Sequence, residues 1–190
     1  MTAQLYLASR SPRRQELLRQ VGLRFDVIAA DVAERREPGQ APSSYAVAMA
    51  LAKARAAQAR AAGLPVLGAD TDVVIDDEIL GKPAGRDQAL AMLGRLSGRT
   101  HEVFSSVAVV QDGRAETALS VTRVSFGAIT PAQARAYWKS GEPADKAGAY
   151  AIQGFGAQFV REIHGSYSGV VGLPLYETLE LLKRFGVAPR

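Results

Sequence analysis

Three cations crowd one turn near the start of the chain: Arg10, then Arg13 and Arg14 directly after Ser11-Pro12. Serine suits a helix N-cap and proline the first helical turn, so the spacing predicts a helix whose first turn carries Arg13 and Arg14. A helix N-terminus already has partial positive charge and unpaired N–H groups, and it favours acids. An anion would resolve that conflict, because guanidinium groups beside helix N–H groups receive phosphate oxygens. Solvation, or pairing with acids elsewhere in the chain, would resolve it equally well. Asp70-Thr71-Asp72 forms a second set, embedded in the otherwise apolar stretch 65–75. A carboxylate inside a buried strand is costly unless it is paired or holds a metal, so burial favours function over structure for these acids. Lys82 is constrained between Gly81 and Pro83, aimed at phosphate or serving only the surroundings of the next helix. Gln153 precedes Gly154, placed either to read a ligand through its amide or to satisfy backbone groups. Glu34 rides on a polar loop, where a solvated reading suffices, and Lys53 falls in mid-helix, where a surface lysine is the usual case.

These side chains need elements to hold them. Residues 5–8 are an apolar run of strand length, followed by a polar turn and a helix with a Leu17, Leu18, Val21 stripe that Gly22 ends. Residues 24–30 read as a strand in which Phe25 and Val27 alternate against polar neighbours. Residues 31–40 contain Pro38-Gly39 and read as a loop. An alanine-rich helix opens at Pro42 and runs to about Ala62, closed by Gly63. The 65–75 stretch breaks at Gly68, presents the acids and resumes, and residues 76–78 turn. Residues 86–96 form a helix. Strands over 101–110 and 114–126 are joined by a hairpin turn at Asp112-Gly113. His101 reads as a packing or hydrogen-bonding residue rather than a catalyst. A helix from Thr130-Pro131 to about Ser140 packs through Tyr137 and Trp138. A polar loop over 141–150 then leads to an apolar strand at Phe159-Val160, a turn over 164–169 and a sheet-closing segment over 170–174. An amphipathic helix over 174–185 finishes the chain. Alternating strands and helices with an inserted hairpin predict an α/β fold with a mixed sheet. A functional reading requires the turns at 9–14, 70–72, 81–83, 145–148 and 153–154 to converge on one cleft.

Composition narrows the chemistry further. A chain of 190 residues, 47% hydrophobic and 22% charged, can bury one sizeable core. There are no cysteines, which excludes disulfides and thiolate metal sites, and two histidines argue against a histidine-rich one. A metal would be a hard cation held by carboxylates and phosphate. No apolar run approaches membrane-spanning length, and no secretory signal is visible, so a cytoplasmic setting is expected. The net charge of +4 fits a small phosphorylated substrate, and the scattered arginines do not form the dense stripe that nucleic acid requires.

Eight motifs in order resemble the Maf family across nearly the whole chain. They are Leu7-Ala8-Ser9-x-Ser11-Pro12-Arg13-Arg14-x-x-Leu17-Leu18, Ala52-Lys53-Ala54, Gly68-Ala69-Asp70-Thr71-x-Val73, Gly81-Lys82-Pro83, Leu96-Ser97-Gly98-x-x-His101, Asp145-Lys146-Ala147-Gly148-x-Tyr150, Ile152-Gln153-Gly154 and Val171-Gly172-Leu173-Pro174. The resemblance implies a single Maf-like domain over 1–190. Its fold would be elongated, with a mixed twisted sheet flanked by helices and a cleft between two lobes. It implies a metal-dependent nucleoside triphosphate pyrophosphatase, using Mg²⁺ or Mn²⁺, often dimeric. Carried over by position, Asp70 is the general base and, with Glu34, a metal-site residue. Ser9, Arg13, Arg14, Lys53 and Lys82 would hold phosphates. Arg13, Thr71 and Gln153 match relatives that resemble the dTTP/UTP pyrophosphatases, whereas relatives acting on 7-methyl-GTP tend to carry tryptophan, glutamine and glutamate there. The resemblance leaves two alternatives open: a pyrophosphatase for 7-methyl-GTP or other modified nucleotides, and a non-enzymatic regulator of cell division that binds nucleotide or nucleic acid.

Overall fold

The fold, taken from a computed structural model that describes residues 2–189, is built around one long strand. The chain starts with strand β1 (Leu5–Leu7), helix α1 (Pro12–Gln20), strand β2 (Phe25–Val27) and helix α2 (Pro42–Gln58). The long strand, β3 (Val66–Ile75), follows and turns through Asp76-Asp77 into β4 (Glu78–Leu80). Helix α3 (Arg86–Leu96) precedes the hairpin of β5 (Thr100–Gln111) and β6 (Arg114–Phe126). Asp112 and Gly113 both take positive φ in its turn, as the sequence requires. Helix α4 (Pro131–Lys139), three short 3₁₀ turns between Glu142 and Phe159, β7 (Val160–His164), α5 (Tyr167–Val171) and α6 (Leu175–Lys183) complete the chain.

The sheet runs β2-β1-β3-β5-β6-β7, with β4 on the far half of β3. β2, β1 and β3 are parallel, and every other pairing is antiparallel. β3 spans a gap. Its first residues, Val66 and Leu67, pair with Tyr6 and Leu7 of β1, and its last, Val73 to Ile75, pair with β4. Residues 70–72 pair only with β5, leaving their other edge open. The acids therefore sit where the sheet has a notch.

Core packing explains why the notch is there. Side chains alternate across β3, so Leu67 and Ala69 pack with Leu17 and Leu18 of α1 and with Leu181 and Leu182 of α6. On the opposite face Val66 packs against Ala50, Ala54 and Ala57 of α2, whose spacing of four and then three residues makes one small-residue stripe. Beyond the acids, Val73 and Ile75 enter a separate core with Leu93 and Leu96 of α3, Phe126 and Tyr137. One strand thus links two lobes, and its polar middle crosses between them.

Several elements differ from the sequence reading. Gly68 does not break the strand. β3 is continuous, and Gly68 is there because a Cβ would overlap the Ala50 carbonyl and crowd Ala54 on α2. α2 ends at Gln58, short of Ala62. Val27 is exposed, because β2 is an edge strand of three residues rather than a half-buried one. Val170 and Val171 belong to helix α5, not to a sheet-closing segment, and Phe159 closes a 3₁₀ turn before β7.

Candidate active site

The turn from β1 into α1 brings the first cations. Ser11 is the N-cap by backbone position, but its side chain makes no capping bond, and no acid lies in the first turn. Ser9 Oγ instead accepts from the Ser11 N–H at 3.3 Å. Arg14 is largely committed to the protein. Its Nε donates to the Gly172 carbonyl at 2.9 Å, Nη1 to Ser9 Oγ at 3.2 Å and Nη2 to Thr71 Oγ1 at 3.3 Å. Burial lowers the Arg14 pKa, and the Asp70 charge opposes that. Thr71 is held in turn by Ser105 Oγ and the Gly172 carbonyl, each at 3.3 Å. Arg14 therefore joins α1 to β3 and to the end of α5. Arg13 is freer, with Asp145 3.9 Å away as its ion-pair partner.

The acids are organised by Lys53. Its place in mid-helix on α2 suggests solvent, yet its side chain is largely buried. Nζ lies 2.6 Å from Asp70 Oδ1 and 2.6 Å from Glu34 Oε1, bridging a buried strand acid to an exposed loop acid. The hydrogen bond from Lys53 pulls the Glu34 pKa below its usual value. Asp72 projects to the same face of β3 as Asp70 and is 9% exposed, with Oδ2 buried and unpartnered. Burial, reinforced by the charge of Asp70, pushes its carboxyl up to about 8. The same causes, in the same order, raise the buried Tyr45 phenol to about 12.

Apart from Tyr45 and Ser105, these groups face one cleft of about 580 Å³, a volume typical of small-ligand sites. Ser9, Arg13, Arg14, Glu34, Lys53, Asp70, Thr71, Lys82 and Gln153, every site residue named from the sequence, line it. Lys82 is exposed, and its ammonium makes no ion pair among the described residues. Lys146 and Asp72 also line it, and the motifs assign neither a role there. Lys146 reaches the cleft from the segment after α4, its ammonium bonded to Asp145. Asp72 lies at the open position of its motif, and its signal was the unusual density of acid within a buried strand.

A metal would need hard oxygen donors. Among the described residues no group of three or more acidic or histidine side chains is arranged to hold an ion. Asp70 and Asp72, with one orphaned oxygen, offer two carboxylates, and magnesium is commonly held by one or two carboxylates together with substrate phosphates. The residues fit an ion completed by phosphate oxygens, not a cage made by protein alone. Glu34 and Asp70, expected together at the metal, do meet, but through the Lys53 ammonium.

Related proteins carry a similar sequence. The chain is 52% identical over 98% of its length to a dTTP/UTP pyrophosphatase of Saccharophagus degradans, covering 90% of that protein. It is 51% identical to a dTTP/UTP pyrophosphatase of Escherichia coli O157:H7, covering 95% and 92% of the two chains. The solved structure of the Staphylococcus aureus Ham1 protein matches at 17% identity and a TM-score of 0.47, over 95% and 96% of the chains. The family model described as Maf-like protein matches residues 4–185, and the chain belongs to the Maf family.

Proposed function

We propose that this protein hydrolyses dTTP and UTP to the nucleoside monophosphate and pyrophosphate. The observation that carries the reading is Asp70, fixed by Lys53 at the notch of β3 and facing cations that arrive from separate segments. In this mechanism the Asp70 carboxylate accepts a proton from a water molecule as that water's oxygen bonds to the α-phosphorus. The bond from the α-phosphorus to the oxygen bridging α and β then breaks, and the electron pair leaves on pyrophosphate. Arg13, Lys82 and Lys146 bind the phosphates and offset the charge that builds on the leaving group. Lys53 holds Asp70 in orientation, while Arg14 and Ser9 keep the turn before α1 in place. Gln153, exposed on the cleft, donates and accepts against the 4-oxo and N3 edge of a pyrimidine. A divalent cation, Mg²⁺ or Mn²⁺, held by Asp70 and Asp72 with Glu34 nearby, supplies further charge neutralisation when bound.

The test is a nucleotide panel assayed with each metal, with products identified. Release of monophosphate and pyrophosphate from dTTP and UTP is expected. Preferential turnover of 7-methyl-GTP, or nucleotide binding without turnover, would overturn the reading. No helix among the described residues is long and apolar enough to cross a membrane. A cytoplasmic homodimer belongs to the same proposal, and light scattering on the purified protein checks its assembly.

A further inference from the structure

We propose that Glu142, which lies outside the cleft, is a positioning residue that sets base selectivity by clamping the loop that presents Gln153. This inference rests on the assignment of Gln153 as the base reader. Gln153 itself is exposed, and the backbone on both sides of it is tied to one pair of side chains. On the near side, the Ala151 N–H donates to the Tyr137 hydroxyl at 3.0 Å. On the far side, the Phe155 N–H donates to Glu142 Oε2 at 2.9 Å and the Gly156 N–H to Glu142 Oε1 at 3.0 Å. The pair is closed by the Tyr137 hydroxyl, which donates to Glu142 Oε1 at 2.5 Å. Glu142 and Tyr137 thus hold residues 151 and 155–156, leaving Gln153 at the crest between two fixed points.

The clamp is tight. A Cβ on Gly154 would overlap the Glu142 carboxylate, and one on Gly156 would press on the Tyr137 hydroxyl and the Ala151 backbone. Burial works to raise the Glu142 carboxyl, but the hydrogen bonds from Tyr137, Gly156 and Phe155 leave it below its usual range. An ionised carboxylate can accept all three bonds, which a neutral amide cannot do equally well. The same short segment reaches the other end of the cleft. Glu142 opens the 3₁₀ turn Glu142–Asp145, whose last residue pairs with Arg13 and whose neighbour Lys146 lines the cleft.

The experiment compares wild type, Glu142→Gln, Tyr137→Phe, Gln153→Ala and the Glu142→Gln/Gln153→Ala double variant. Steady-state kinetics on dTTP, UTP, CTP and dGTP are read beside thermal melting of each protein. Glu142→Gln is expected to raise KM for dTTP and UTP about tenfold with kcat changed less than threefold. Selectivity over CTP and dGTP should narrow, and adding Glu142→Gln to Gln153→Ala should cost little more than Gln153→Ala alone. Tyr137→Phe should move selectivity in the same direction. Unchanged selectivity in a folded Glu142→Gln protein, or additive losses in the double variant, would overturn the clamp. If Glu142→Gln fails to fold, the Tyr137→Phe result decides. If wild type itself shows no preference for dTTP and UTP, the base-reading assignment of Gln153 falls instead.

Discussion

Asp70 and Lys53 make the site chemically specific. An unpaired carboxylate in the middle of a strand would be destabilising, and the Lys53 ammonium at 2.6 Å is what makes it tolerable. Asp70→Asn keeps shape but removes the proposed base. It is expected to lower kcat for dTTP by about 10³-fold while binding persists, measured by turnover and by calorimetric titration. His101 has a different role. It is buried, its Nε2 is 2.9 Å from the Tyr150 hydroxyl, and it packs edge-on against Phe126 and Tyr150. Burial lowers its pKa from 6.5 to about 4, so the folded protein keeps it neutral. As pH falls below 6.5 the unfolded chain takes up a proton that the folded chain refuses, and this stability is lost progressively down to about pH 4. The loss should approach about 3 kcal/mol, read from urea unfolding across that range. His101→Phe should flatten the acid limb, at the cost of leaving the Tyr150 hydroxyl without its partner.

At the scale of elements, β3 and α2 act as one unit. The helix lies close because its buried stripe is alanine and because the strand has glycine opposite it. That closeness is what lets Lys53 reach Asp70. Gly68→Ala should push α2 from the strand, destabilise the protein by about 3 kcal/mol and lower kcat in the folded fraction, since the Lys53–Asp70 geometry moves with the helix. Melting curves and active-site titration separate the two effects. The α4 segment is anchored by a different device. Thr130 and Gln133 form a reciprocal capping box at its start, fixing the helix that carries Tyr137.

Across the whole molecule, the cleft is a meeting of segments far apart in sequence. Arg13, Lys53, Lys82 and Lys146 arrive from four places, and the acid partners of Arg13, Lys53 and Lys146 keep the field from being uniformly positive. A triphosphate entering it should feel a salt-dependent attraction. Raising ionic strength from about 0.1 M to about 1 M shortens the screening length from roughly 10 Å to roughly 3 Å, so KM for dTTP should rise several-fold while kcat changes little. Initial-rate measurements at constant free metal check this.

The chain's local rules determined a good deal. Proline after serine starts α1, Asp-Gly makes the β5–β6 turn, and apolar periodicity places most of the strands and helices, though not β4 or α5, because each is decided within a few residues. The motifs and loops named candidate site residues, and the structure brings each of them to one cleft. What sequence could not decide were relations between distant segments. Lys53 reads as a surface residue until β3 is laid beneath α2, and Gly68 reads as a break until the helix backbone is seen to occupy the space of its missing side chain. Glu142 reads as part of a polar loop until Phe155 and Gly156 are folded onto its carboxylate. Hydrogen bonds and steric exclusion between remote residues exist only once the chain has closed on itself, and tertiary structure alone supplies them.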